Sequence, residues 1–427
     1  MSKKLELLVP AGNLLKLQTG VAFGADAVYL GVPDFSLRAR ANDFNLKTLA
    51  AGIKYAHDHG LRAYVTLNIF AKEEHLERLP EFIKKLRPLN PDALIISDPG
   101  IIFLVKKEWP EAFIHLSTQA NCTNSAAAKF WQELGLSRII LAREVSLSEI
   151  KAISQAAPGL ELEYFVHGAM CMAYSGRCFL SQQLTGRSAN LGDCAQPCRW
   201  QYQLKPLGHE TEFEVLQESE GSYFLNSQDL CLIEQLPELI AAGVTSFKIE
   251  GRAKSVYYEA VVSGVYAQAL KYCQAALPLA ELKEKLKSLK KELVEKLTHR
   301  GYTSGFLLGE RAGQTIERTR LDCDWEFCGQ ALAPAPEYFV PKTKLGQFVA
   351  YFRVHNTWLA NDQVEIVRPL YKVLQPKIRN FYDALSGEPL IEVHGGGGSR
   401  SIAVILEEPI PEFSVARRFL KTRTEKK

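Results

Sequence analysis

The sequence predicts an α/β fold, a TIM-like (β/α)8 barrel followed by a small β-domain. From residue 5 onward, short runs of apolar and β-branched residues alternate with amphipathic stretches of helix length, which is the pattern of repeated βα units. Eight such runs occur, the number that a closed barrel needs. No run is followed by Gly-x-Gly-x-x-Gly, which disfavours a dinucleotide-binding sheet. A doubly wound open sheet is therefore the second alternative.

The eight runs are predicted to be buried strands. They are Leu5–Val9, Ala27–Leu30, Arg62–Leu67, Ala93–Ser97, Phe113–Ser117, Arg138–Ala142, Leu162–Val166 and Ser246–Ile249. In a barrel the chemistry collects at the carboxyl ends of the strands. Arg143 follows the sixth run, His167 the seventh, and Glu250 and Arg252 the eighth. These four are candidate catalytic residues, with structural ion pairs and hydrogen bonds as the alternative role.

The chain divides into a predicted barrel domain, 1–310, and a predicted C-terminal β-domain, 311–427. The connection between the seventh and eighth strands is far longer than an ordinary βα loop, so we expect an insertion at about 171–245 on the active face. Helices are predicted at Val256–Tyr272 and Ala280–Leu297. Beyond them, short alternating segments such as Gly346–Val354 are broken by Pro and Gly, which is typical of β structure. A basic, solvated tail is predicted from Arg417, Arg418, Lys421, Arg423, Lys426 and Lys427.

The bulk composition favours a cytoplasmic protein with no membrane partner. The first residues lack an apolar run of signal-peptide length, and no stretch is long enough to span a bilayer. A net charge of +3 neither demands nor excludes a nucleic-acid partner. In a reducing compartment, the nine cysteines are better explained as thiols or metal ligands than as disulfides.

Four of the cysteines are clustered, whereas the others are scattered. Cys171, Cys178, Cys194 and Cys198 have the spacing Cys-x6-Cys-x15-Cys-x3-Cys. Four converging thiolates repel one another unless a metal or a cluster neutralises them, so the pattern predicts a metal centre. Zinc remains open, although its usual pair of short Cys-x2–4-Cys hooks is absent; an iron–sulfur cluster tolerates wider spacing. Cys231 is a possible replacement ligand, but its apolar neighbours favour a buried thiol.

The segment around the first two of these cysteines resembles the signature of the collagenase-like peptidase U32 family. It runs from Glu163 to Cys171 and continues through Tyr174–Cys178 to Ser181. Further similarity extends over about residues 5–310. It is carried by Leu8–Gly12, Asp26–Gly31, Ser117–Gln119, Phe247–Arg252 with Lys254, and His299–Phe306.

The resemblance implies an activity, a cofactor and partners. The branch that is most similar hydroxylates the wobble uridine of tRNA to 5-hydroxyuridine, without oxygen and in dependence on prephenate. Related branches act on a ribosomal RNA cytidine or in ubiquinone synthesis, and iron–sulfur clusters are associated with them. We therefore expect a 4Fe-4S cluster on the four cysteines, prephenate as co-substrate and tRNA as partner.

Two other functions remain as alternatives. The family name suggests a peptidase, but the sequence contains neither His-Glu-x-x-His nor Gly-x-Ser-x-Gly. An assembly factor with a purely structural cluster is the third alternative. In the favoured reading, His167 and Glu250 are the acid–base candidates. Arg143 and Arg252 bind a carboxylate or an RNA phosphate, because guanidinium matches both groups.

Overall fold

The eight predicted runs all form strands, and these close into a parallel barrel. The computed structural model describes residues 4–32, 34–38, 42–174, 177–202, 225–275, 277–309, 313–315, 320–395 and 400–420. Within those ranges the first sheet contains β1 (Glu6–Ala11), β2 (Ala27–Gly31), β3 (Arg62–Leu67), β4 (Ala93–Ile96), β5 (Ile114–Leu116), β6 (Arg138–Ile140), β7 (Glu161–Ala169), β8 (Asp229–Cys231), β9 (Val244–Ile249) and β10 (Tyr302–Thr303).

Strands β1–β7 and β9 form the barrel. Consecutive strands from β1 to β7 pair in parallel, and β9 closes the ring by pairing in parallel with both β7 and β1. The barrel prediction is therefore confirmed, and the open sheet is excluded. β8 lies outside the ring, antiparallel to the end of β7, and β10 pairs with β8.

Helices alternate with the strands and cover the barrel. They are α1 (Leu14–Ala22), α2 (Leu46–Asp58), α3 (Glu73–Leu86), α4 (Pro99–Glu108), α5 (Ser125–Glu133), α6 (Leu147–Ala156), α7 (Leu180–Thr185), α8 (Leu236–Ala241), α9 (Val256–Gln274) and α10 (Leu279–Lys296). Hydrogen bonds to capping side chains define the N-termini of several helices. Asp98 accepts from the backbone N–H of Ile101 at the start of α4, and Ser146 and Glu149 form a capping box on α6.

The interior of the barrel holds a buried ion network below the active face. Arg138 Nη1 donates to Glu6 Oε1 at 2.5 Å and to Glu163 Oε2 at 3.0 Å. Lys248 Nζ donates to the other oxygen of Glu163 at 2.7 Å. Burial raises the pKa of Glu6, but Arg138 and Arg62 outweigh it and hold that pKa below its ordinary value. The network therefore links strands β1, β6, β7 and β9 through charge rather than through apolar contact alone.

The second unit is a β-domain, as predicted, and its strands pair antiparallel. Its strands are β11 (Trp325–Leu332), β12 (Phe348–Val354), β13 (Trp358–Leu359), β14 (Val364–Arg368), β15 (Lys372–Leu374), β16 (Phe381–Asp383), β17 (Pro389–Leu390), β18 (Glu392–Val393), β19 (Ser401–Leu406) and β20 (Val415–Phe419). Phe352, Trp358 and Phe381 pack at the centre of its core. The predicted boundary at 310/311 falls outside the described residues.

The predicted basic tail was wrong for Arg417 and Arg418, because both lie in β20. Arg417 is fully buried; its Nε donates to Glu365 at 2.7 Å and its Nη2 to Glu292 of α10 at 3.0 Å. Arg418 pairs with Glu326 at 2.9 Å. These arginines hold the β-domain together and tie it to the barrel. The rest of that prediction, Lys421 to Lys427, lies outside the described residues. Every helix in the described part of the chain is too short or too polar to cross a bilayer.

Candidate active site

A cavity of about 230 Å³ opens at the carboxyl ends of the barrel strands. Apolar side chains such as Ile95, Ile140 and Phe165 form part of its wall. The chemically active residues that line it are the four clustered cysteines together with Arg38, Arg143, Lys248, Glu250 and Arg252. Lys248 is already paired with Glu163, so among the described lining residues three arginines face the single carboxylate of Glu250, and the cavity favours an anionic ligand.

The four clustered cysteines meet at this cavity although the chain between them is irregular. All four are half-buried free thiols. Cys171 follows β7, Cys178 precedes α7, and Cys194 and Cys198 lie around the turn at Pro197–Arg199. Among the described residues, no three Cys, His, Asp or Glu side chains lie close enough to hold a single metal ion. All four cysteines nevertheless line the same cavity.

A glycine directs the chain from β7 toward Cys171. Gly168 has φ of +110°, and a Cβ there would lie 2.3 Å from the carbonyl oxygen of Glu250. Only glycine tolerates both that conformation and that approach. The close contact brings the start of the cysteine insertion against the loop that carries Glu250.

Glu250 is a carboxylate held among arginines. Its Oε1 lies 3.4 Å from Nε of Arg38, and the hydroxyl of Tyr29 donates to Oε2 at 3.4 Å. Burial raises the pKa of Glu250, but Arg38, Arg143 and Arg252 outweigh it and keep the pKa below its usual value. At neutral pH this group can accept a proton but has none to donate.

Arg252 and Arg143 present guanidinium groups to the cavity. Arg252 is 4% exposed. Its Nη1 donates to Thr66 Oγ1 at 3.3 Å and to Asn42 Oδ1 at 3.4 Å, whereas its buried Nε has no partner among the described residues. Arg143 stacks on Phe165, with Cζ 4.0 Å from the ring centroid. An unsatisfied buried donor is costly, so Arg252 is suited to receive an acceptor from a ligand.

A set of neutral polar groups also lines the cavity. Asn68 donates to Gln119 Oε1 at 3.3 Å, and Ser117 also donates to that oxygen. Asn68 Oδ1 accepts from the backbone of Leu37 at 3.1 Å. Amide and hydroxyl groups at the ends of β3 and β5 thus offer hydrogen bonds beside the cations.

The structure does not bring His167 to the cavity. Its side chain is 1% exposed and packs against Tyr258, Tyr266 and Tyr302, with Nδ1 3.4 Å from the Tyr266 hydroxyl. Burial lowers the pKa of His167 to about 3. Cys231, its pairing partner on β8, is likewise buried and does not line the cavity.

A bulge in β7 explains the placement of His167. Phe165 pairs with Lys248, but His167 pairs with the next residue, Ile249, so two residues of β7 face one of β9. Without the bulge, Phe165 and His167 would share the inward face. The extra residue turns His167 outward, toward α9.

Arg38 and Tyr29 complete the site but were not among the sequence candidates. Tyr29 lies in the middle of β2, and Arg38 is in the loop after that strand. Arg38 is 212 residues from Glu250 in the chain, so no local spacing links the two. The available signal was only that Arg38 belongs to a loop at the carboxyl end of a barrel strand, where active-site residues collect.

Comparison with known proteins identifies the relatives of this chain. It is 42% identical over 415 residues to tRNA hydroxylation protein P of Haemophilus influenzae, covering 86% of each chain. It is 40% identical over 270 residues to a 23S rRNA 5-hydroxycytidine synthase of Escherichia coli, covering 63% of this chain and 40% of that protein. A collagenase of Porphyromonas gingivalis is 30% identical over 391 residues, covering 88% and 89%.

The family assignment rests on most of the barrel and on the cysteine insertion. The sequence pattern described as peptidase family U32 matches residues 12–317. That range includes the four cysteines and every described residue that lines the cavity. The expected resemblance is therefore confirmed, and the chain belongs to peptidase family U32.

Proposed function

We propose that this chain is an RNA-modifying enzyme that hydroxylates the wobble uridine of tRNA at C5, with a 4Fe-4S cluster and prephenate. The observation that carries the proposal is that four free thiols and three arginines meet in one cavity at the barrel mouth. Two of the relatives described above are named for RNA hydroxylation. A cytoplasmic location, where thiols stay reduced and tRNA is available, is part of the proposal.

The four cysteines fit a cluster better than they fit zinc. Structural zinc sites are usually built from two short Cys-x2–4-Cys hooks, and of these four cysteines only Cys194 and Cys198 form such a hook. A four-iron cluster is bound by thiolates distributed around a larger body. Cys171, Cys178, Cys194 and Cys198 would hold it, and it would supply one-electron chemistry next to the substrate.

The arginines fit a small dicarboxylate such as prephenate. Arg252 has a free buried Nε, and Arg143 presents its guanidinium edge while its face lies on Phe165. Guanidinium binds carboxylate through two parallel hydrogen bonds. Glu250 offsets part of the positive charge of the arginines. As a carboxylate it can also accept a proton from the uracil ring of the substrate.

The size of the cavity suits a small ligand, such as one unstacked base or one small acid. At about 230 Å³ it lies below the roughly 300–1,000 Å³ of sites for drug-sized ligands. Unpaired loop bases can be splayed out and bound on their edges at low cost. Asn68, Ser117 and Gln119 offer the amide and hydroxyl groups that such an edge requires.

Peptidase activity is the second candidate, because the collagenase relative covers most of the chain. The cavity supports it less well. No histidine is among the described residues that line the cavity, so its cysteines and serine lack the imidazole that activates the nucleophile in Cys–His and Ser–His pairs.

Nucleoside mass spectrometry of tRNA from a deletion strain tests the proposal. We expect 5-hydroxyuridine to be absent in the deletion strain and restored by the wild-type gene, with or without oxygen. Arg252→Ala should fail to restore it. Unchanged 5-hydroxyuridine in the deletion strain would contradict the function. Cleavage of a collagen-like peptide by the cluster-free protein would support the peptidase instead.

A further inference from the structure

A second cavity, of about 610 Å³, lies between the barrel rim and the β-domain. Its wall includes the loop after β9, the end of α10 and the start of β11. The charged residues that line it are Arg199, Lys254, Lys296, Arg300 and Arg320 with Asp229, Asp322 and Glu326. Cations therefore outnumber carboxylates among the described lining residues.

The two cavities share a wall. Cys198 lines the first cavity, and the next residue, Arg199, lines the second. Likewise Arg252 lines the first and Lys254 the second. The turn at Pro197–Arg199 and the loop between β9 and α9 thus separate the two spaces by the thickness of a single chain segment.

Most cations of the second cavity already have partners. Arg300 binds the buried carboxylate of Asp229 through Nη2 at 2.6 Å and Nε at 3.1 Å. Lys296 lies 3.4 Å from Glu365, and Arg320 lies 3.7 Å from Asp322.

Lys254 and Arg199 differ in lacking a carboxylate partner, although Lys254 Nζ lies 5.4 Å from the centroid of the Tyr258 ring. Neither pairs with a carboxylate in the described part of the chain, and the buried Nε of Arg199 has no hydrogen-bond partner there. Burial lowers the pKa of Lys254, and the charges of Arg199 and Arg300 lower it further against the opposing effect of Asp229. Neighbouring cations that repel one another are stabilised by an anion placed between them.

We propose that this second cavity binds a backbone phosphate of the substrate RNA, with Lys254 and Arg199 as its ligands, an inference that rests on the proposed function. When the base of a nucleotide enters the first cavity, its sugar and phosphates stay outside that cavity. We place them on the other side of the chain segment that separates the two cavities. The second cavity begins on the far side of that wall and is too large for a single small acid. Ser255, the N-cap of α9, adds the positive end of a helix dipole to the same wall.

Salt-dependent RNA binding by the full chain, prepared anaerobically with its cluster, tests the site. The probe is a fluorescently labelled tRNA anticodon stem-loop with uridine at the wobble position. Its dissociation constant is measured by anisotropy between about 50 and 200 mM KCl. For Lys254→Ala, we expect weaker binding at low salt and a slope of log affinity against log salt that is shallower by about 0.7–0.9, the contribution of one phosphate contact.

Two variants serve as controls. Lys254→Arg keeps the charge and should keep the slope. Lys107→Ala removes an exposed lysine from the last turn of α4, on the opposite face of the barrel, and should bind as the wild type does. Visible absorption and melting temperature show whether each variant retains its cluster and fold.

The possible outcomes distinguish failure of the phosphate site from failure of the proposed RNA hydroxylation. If the wild type binds and hydroxylates RNA but Lys254→Ala has wild-type affinity and slope, the phosphate site is wrong and the function stands. If Lys254→Ala instead raises only the KM for prephenate, the cavity binds a small acid and the inference is overturned. If the wild type binds no RNA, the proposed function and the inference both fall.

Discussion

Replacing Arg138 by alanine should destabilise the barrel more than any surface change. Arg138 is 2% exposed and lies between Glu6 and Glu163, which are 3% and 0% exposed at their side chains. The substitution leaves two carboxylates in a buried space with less positive charge. Lys248 remains 2.7 Å from Glu163 and Arg62 remains 2.8 Å from Glu6, so each carboxylate keeps one partner.

The size of the effect follows from the burial. Removing one partner of a buried ion pair costs about 3–5 kcal/mol, because the remaining charge is desolvated and loses its compensation. Since each carboxylate here keeps one other cation, we expect the lower part of that range. A stranded glutamate can instead take up a proton, at a cost of about 3.7 kcal/mol at pH 7 given an ordinary pKa near 4.3. We therefore expect the free energy of unfolding to fall by about 3–4 kcal/mol at pH 7.

The loss should also depend on pH. In the variant, the pKa of the stranded glutamate is raised in the folded state, so the loss is largest at high pH. It should shrink by about 1.4 kcal/mol for each pH unit between 7 and 5.

Thermal unfolding of the cluster-free protein, followed by circular dichroism at pH 7 and pH 5, measures both effects. The entropy of unfolding grows with chain length, so for a protein of this size the expected decrease in melting temperature at pH 7 is roughly 3–6 °C. Arg87→Ala is the matched control, because its pair with Glu111 is half-exposed and contributes about 0–1 kcal/mol. A loss below about 1 kcal/mol for Arg138→Ala, or one that is the same at both pH values, would refute the reasoning.

Three further predictions concern the site and its surroundings. His167→Ala should lower stability by about 2–4 kcal/mol but leave the pH profile of hydroxylation unchanged, because its pKa of about 3 keeps it neutral in any assay; loss of one limb of the profile would show that it titrates in catalysis. Gly31→Ala should raise the KM for prephenate at constant iron content, because its Cβ would lie 2.5 Å from Nη1 of Arg252; an unchanged KM would mean that Arg252 does not bind the acid. Burial raises the pKa of Asp229, but Arg300 outweighs it and keeps the pKa below the ordinary 3.8, so this pair stabilises the fold above about pH 4 and the stabilisation is lost as the pH falls through the lowered value. Melting temperatures from pH 7 to 3 should fall less steeply for Asp229→Asn than for the wild type, and equal slopes would exclude this pair as a source of acid sensitivity.

The barrel could be predicted because its signal is local. A strand buried on both faces must be a short apolar run, and runs such as Ala93–Ile96 can be recognised without knowledge of their neighbours. The cysteine cluster could also be predicted from the sequence, because residues that are close in sequence are constrained to lie close in space. Strand ends also gave Arg143, Glu250 and Arg252, because parallel strands place their carboxyl ends on one face.

The remaining features depend on tertiary contacts that no local pattern encodes. The bulge that turns His167 away from the cavity is defined only by the pairing of β7 with β9. Arg38 reaches Glu250 from a distant loop. In the sequence, Arg417 belongs to a basic C-terminal segment that resembles a solvated tail. Its burial depends on ion pairs with Glu365 and Glu292, which are distant in the chain.

Iron, acid-labile sulfide and 5-hydroxyuridine, measured together for paired cysteine variants, test the central claim most directly. Wild-type protein prepared anaerobically should contain about four irons and four sulfides per chain and should restore 5-hydroxyuridine to tRNA of the deletion strain. Cys194→Ala should lose the cluster and the modified nucleoside together. Cys231→Ala, which alters a buried thiol outside the cavity, should retain both. Stoichiometric zinc without sulfide in the wild type, or full modification by Cys194→Ala, would contradict the account.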